Sequence, residues 1–123
     1  MKLAHTMIRV KDLDATLEFY TGFLGLKETR RRPIGDEATL IFLEDNASGY
    51  QIELTLNHGK TDYELGNQFG HLAFFTENLE KVIADVESRG WWYRRSKPEV
   101  SANYIFVKDP NGYDIEILQG RPD

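Results

Sequence analysis

The 123-residue sequence contains no cysteine, which removes disulfides, thiolate metal sites and cysteine nucleophiles together. No stretch approaches the roughly 20 apolar residues of a membrane-spanning helix. MKLAHTMIRV carries neither the charged n-region nor the apolar core of a secretory leader, so a cytoplasmic location is the expectation. Positive charge is scarce: 15 basic side chains stand against 20 acidic ones, for a formal net charge of −5. A nucleic-acid or anionic-membrane partner needs a basic footprint, so neither is expected. What is present is ordinary for a globular protein, with 41% hydrophobic and 28% charged residues. At this length a single domain over 1–123 can build a real core.

Apolar and β-branched residues over 3–10 predict a strand. Asp12 then fits an N-cap, followed by Leu13, Leu17, Tyr20 and Leu24 at helical spacing, with Gly25 as the stop. Strands are expected near 26–32, 38–44 and 50–57, separated by the turn-like stretches RRPIGDE and EDNASGY. The order then repeats. A strand near 70–76 leads to Asn78 in the capping place, and Leu79, Val82, Ile83 and Val86 recur at i, i+3, i+4, i+7 before Gly90. Further strands fit near 91–96, 103–108 and 113–118, with D-P-N-G at 109–112 as a tight hairpin turn. Alternation along 91–96 sends one of Trp91 and Trp92 into the core and the other toward the polar face or a partner subunit.

The halves align. An offset of 66 places His5 on His71, Asp12 on Asn78 and Leu13 on Leu79; an offset of 63 places Gly49 on Gly112, Tyr50 on Tyr113 and Glu53 on Glu116. The expected fold is therefore α+β, with two tandem β-α-β-β-β modules at about 1–60 and 68–120, joined by HGKTDYELGNQFG. A unit of roughly 60 residues is marginal alone, so the modules are expected to form one pseudo-symmetric domain.

Strand side chains alternate between faces. His5, Met7 and Arg9 share one face, as do Gln51, Glu53, Thr55 and Asn57; His71 stands opposite Leu72, and Glu116 opposite Ile115 and Ile117. Each module thus has an apolar face for its helix and a more polar face with one histidine and one glutamate. A lone histidine or glutamate on a strand is usually a surface group or a satisfied polar contact. Glutamate, however, is a poor strand former and is rarely buried unpaired. Its recurrence at repeat-equivalent positions favours a divalent-metal site of His5, Glu53, His71 and Glu116. Imidazole plus carboxylate suits zinc, nickel, cobalt or iron. Four protein ligands on a six-coordinate ion leave two positions for water or substrate, the layout of a Lewis acid.

HTMIRVKDL with FYTGFLGL, IELTLNHG, YELGNQFGHLAF and DPNGYDIEIL together resemble the vicinal-oxygen-chelate superfamily and, within it, the glyoxalase I family. These stretches run from residue 5 to residue 118. The resemblance implies isomerisation of the hemithioacetal of methylglyoxal and glutathione to S-lactoylglutathione. It further implies metal ligation by His5, Glu53, His71 and Glu116, with nickel favoured in so short a chain and cobalt or zinc as alternatives. Glu116 matches the catalytic base that moves the proton from C1 to C2, and Glu53 a facing ligand and second catalytic carboxylate. Arg9 and Asn57 match substrate-binding positions for the γ-glutamyl end of glutathione, the co-substrate. A homodimer is implied, with His5 and Glu53 of one subunit facing His71 and Glu116 of the other.

Three positions depart from that family's pattern. Asn67 stands where a basic residue is usual, His58 replaces a tryptophan and reads as a turn residue, and the loop KPEVSANY near 97–104 is short. Other readings on the same scaffold are a thiol transferase, a dioxygenase, an epimerase, or a metal-free drug-sequestering protein.

Overall fold

A computed structural model describes residues 1–120. The chain divides into two compact units, Met1–Glu64 and Leu65–Asp123. In the first, β1 (His5–Arg9) leads to α1 (Leu13–Leu17), and then β2 (Lys27–Ile34), β3 (Ala38–Glu44) and β4 (Gln51–Asn57) follow. In the second, β5 (His71–Thr76) leads to α2 (Leu79–Ser88), then β6 (Tyr93–Arg95), β7 (Tyr104–Lys108) and β8 (Asp114–Gln119). Both are the expected β-α-β-β-β module.

Each module forms one mixed four-stranded sheet, in the orders β1-β4-β3-β2 and β5-β8-β7-β6. The first strand of a module lies parallel to its last, and the other pairs are antiparallel. The apolar faces follow the alternation. Ile8, Ile41, Leu43 and Leu54 are buried in one module, and Ile105, Val107, Ile115 and Ile117 in the other. Burying each such side chain stabilises the fold by about 1.5–3 kcal/mol.

The helices begin and end where the sequence places them. Asp12 accepts a hydrogen bond from Ala15 N at 3.1 Å, and Asn78 accepts one from Lys81 N at 3.1 Å. Each satisfies an amide that the first helical turn leaves unpaired. Gly25 and Gly90 close the two helical segments with φ of 78° and 71°, a left-handed conformation that costs glycine nothing. The first helix does not stay α-helical: Glu18–Phe23 adopts π-helical turns, burying Phe19 and Tyr20. The second is α-helical throughout and buries Leu79, Ile83 and Val86.

Two expectations change. The first separator is mostly strand, because β2 runs on through Pro33 and Ile34 and only residues 35–37 form the turn. Proline is tolerated there because β2 is an edge strand, where a missing N–H breaks no ladder. The strand expected at 91–96 is only Tyr93–Arg95, so strand alternation does not govern the tryptophans. Trp91 is half-buried under the Arg89 guanidinium and Trp92 is 53% exposed beside Lys108; neither is buried in the core. No described helix is long and apolar enough to cross a membrane.

Candidate metal centre and its surroundings

The cross-strand register builds each half of the site. On β4, Glu53 sits opposite Met7 of β1 and Phe42 of β3, and Phe42 sits opposite Arg30 of β2. On β8, Glu116 sits opposite Ala73 of β5 and Phe106 of β7, and Phe106 sits opposite Arg94 of β6. Opposed residues share a face. Each sheet therefore carries a transverse row of arginine, phenylalanine and glutamate, with the histidine one pleat away.

Within the first module, His5 Nε2 lies 3.1 Å from Glu53 Oε1. Within the second, His71 Nε2 lies 3.3 Å from Glu116 Oε1. Each imidazole meets its phenylalanine edge to face, with His5–Phe42 centroids 5.5 Å apart and His71–Phe106 centroids 5.0 Å apart. A guanidinium covers each phenylalanine: Arg30 at 4.1 Å from the Phe42 centroid, and Arg94 at 4.9 Å from that of Phe106. The ring fixes the imidazole plane, and the cation favours the ring's negative face.

These pairs suit a shared cation. Two donors bound at about 2.1 Å and at right angles lie roughly 3.0 Å apart, close to both observed separations. The same nitrogen, Nε2, faces the carboxylate in both modules. The four candidate ligands come together two by two. Among the described residues no group of three histidine, aspartate or glutamate side chains converges on one point.

The substrate-binding candidates also meet. Arg9 Nη1 donates to Asn57 Oδ1 at 2.8 Å, and the Tyr63 hydroxyl donates to the same oxygen at 3.1 Å. With its carbonyl oxygen engaged twice, Asn57 has its NH2 group to offer a ligand, beside a guanidinium that suits a carboxylate. His58 is turned to the fold instead. Its Nδ1 lies 2.8 Å from the Asp36 carbonyl oxygen and its Nε2 2.9 Å from Thr39 Oγ1, pinning the β2–β3 turn. Asn67 is exposed, and the segment after β6 is a short loop closed by Ser96 N donating to Tyr104 O.

Residues 2–117 match the Glyoxalase/Bleomycin resistance protein/Dioxygenase superfamily. A lactoylglutathione lyase of Haemophilus influenzae is 36% identical, over 98% of this chain and 94% of that protein. The chain belongs to the glyoxalase I family. The trypanothione-dependent glyoxalase I of Leishmania major has the same fold, with a TM-score of 0.83 and 37% identity over 96% of this chain and 86% of that one. A lactoylglutathione lyase of Arabidopsis thaliana is 35% identical, but the chain spans only 45% of its length, about half of that plant relative. Glyoxalase I proteins are typically metal-dependent, in keeping with paired imidazole and carboxylate donors.

Membership in glyoxalase I does not by itself reveal what surrounds the candidate ligands. Phe42, Phe106, Tyr63 and Thr55 touch candidate site residues, and Arg30 and Arg94 cover the two phenylalanines. Four of them carried a signal in the repeat, since an offset of 64 places Arg30 on Arg94 and Phe42 on Phe106. Tyr63 and Thr55 have no such counterpart.

Proposed function

We propose that the chain is a lactoylglutathione lyase, isomerising the hemithioacetal of methylglyoxal and glutathione to S-lactoylglutathione. The observation that carries this reading is the repeated Nε2-to-carboxylate pair, one on each module of a glyoxalase I chain. His5, Glu53, His71 and Glu116 would hold one divalent cation, with nickel favoured and cobalt or zinc as alternatives. Bound there, the cation supplies Lewis-acid stabilisation of negative charge on the substrate oxygens.

The chain's own groups do the rest. Glu116 takes the C1 proton on a carboxylate oxygen and returns it to C2, while the O1 hydroxyl proton passes to O2; no atom is gained or lost. Such a transfer needs the carboxylate within about 3 Å of the reacting carbon's proton. Glu53 is the facing carboxylate. Arg9 and the Asn57 NH2 group receive the γ-glutamyl carboxylate and hold the substrate in register.

The two modules act as one domain, and a homodimer completes the sites by facing His5 and Glu53 of one subunit with His71 and Glu116 of the other. Two donors per module mean that a four-donor site needs two modules. Thioester formation from methylglyoxal and glutathione, measured on chelated protein titrated with nickel, cobalt and zinc, tests the reading. Metal-dependent turnover, strongest with nickel, is expected; metal binding without turnover would contradict the reaction.

A second reading changes the thiol alone. The 37%-identical Leishmania glyoxalase I is trypanothione-dependent, and Asn67 and the short loop at 97–104 alter the expected glutathione contacts here. Trypanothione turning over faster than glutathione in the same assay would favour that reading.

A further inference from the structure

The modules repeat the histidine, the glutamate, the phenylalanine and the arginine, but they differ two residues beyond the carboxylate. On β4, Thr55 lies two residues beyond Glu53 and on the same face. Its hydroxyl donates to Glu53 Oε2 at 2.6 Å, a buried contact, while Oε1 faces His5 Nε2. Both oxygens of Glu53 are therefore engaged. On β8, the residue two beyond Glu116 is Leu118, which has no donor to offer. Glu116 Oε1 faces His71 Nε2, and among the described residues Oε2 has no counterpart to the Thr55 hydroxyl.

We propose that Thr55 is a positioning residue that makes Glu53 the stationary carboxylate of the site, leaving Glu116 as the one able to move with the proton. This rests on the metal-site reading above. A carboxylate that must reach toward carbon, accept a proton and return cannot have its outer oxygen tied down. One that only ligates gains from being tied, because an outer hydrogen bond fixes its orientation. The repeat supplies the internal comparison: two glutamates on the same scaffold, one with a hydroxyl clamp and one without. The chemical asymmetry of the two carboxylates is thus encoded by a Thr/Leu difference one pleat away from each.

The experiment uses the full chain and three variants: Thr55→Val, Thr55→Ser and Leu118→Thr. Nickel affinity is read by competition with a chromophoric chelator, and kcat and KM are measured on nickel-loaded protein. Thr55→Val keeps the side-chain shape and should weaken nickel binding by roughly 10–100-fold, the usual effect of losing an outer hydrogen bond. Thr55→Ser, which keeps the hydroxyl, should restore it. Leu118→Thr should hold nickel at least as well as the unaltered chain yet lower kcat, with KM unchanged, because it clamps the moving carboxylate. Unaltered nickel affinity in folded Thr55→Val overturns the role of Thr55 alone. Unaltered kcat in Leu118→Thr overturns the claim that Glu116 must move, and does so even where Thr55→Val fails to fold. A starting protein that binds none of nickel, cobalt or zinc overturns the metal-site reading itself.

Discussion

Glu53 and Glu116 were legible because each breaks its strand's apolar pattern at an equivalent place in the two halves. Their neighbours were less so. Thr55 is an ordinary β-branched strand residue in sequence, and only the folded chain brings its hydroxyl to Glu53 Oε2. Phe42 and Phe106 recur at an offset of 64, but only the strand register sets them beside the glutamates and under arginines. The role of Glu116 is testable at this scale. Glu116→Gln keeps the side chain's size and removes its basicity, so kcat should fall by about 10²–10⁴-fold while the circular dichroism spectrum is preserved. Turnover close to that of the unaltered chain would remove Glu116 from the proton transfer.

At the scale of elements, the helices were the most legible parts, because a capping side chain and a terminal glycine bracket each apolar period. Asp12 with Gly25 and Asn78 with Gly90 are such brackets. Asn78→Ala should lower stability by about 1 kcal/mol in urea unfolding, from loss of the cap to Lys81 N. A change within experimental error would mean that the first turn of α2 is held by other contacts, such as Gln119 Oε1 accepting from Leu79 N. The strands were less legible at their ends. Pro33 signals a turn locally, yet the place of β2 at the sheet edge lets the strand continue through it. Edge position is a property of the sheet, which no local window of sequence contains. The same holds for the tryptophans, whose surroundings depend on where β6 begins.

The whole molecule is a duplication, and its function follows from what a duplicated module can and cannot do alone. One module offers a cation two donors, an imidazole nitrogen and a carboxylate oxygen, backed by an aromatic ring and a guanidinium. Four donors require two modules, and in the proposed homodimer those two modules belong to different subunits. His5→Ala and His71→Ala each remove one donor, so each variant alone should have lost metal-dependent turnover. Mixing them separates a cross-subunit site from a site within one subunit. In a mixed dimer, the intact His5 and Glu53 of one subunit face the intact His71 and Glu116 of the other, so one of its two sites is whole. Random re-pairing of equal amounts should recover roughly a quarter of the unaltered activity. Inactivity of purified mixed dimers would contradict a site shared between subunits, because a site built within one subunit cannot be repaired by its partner.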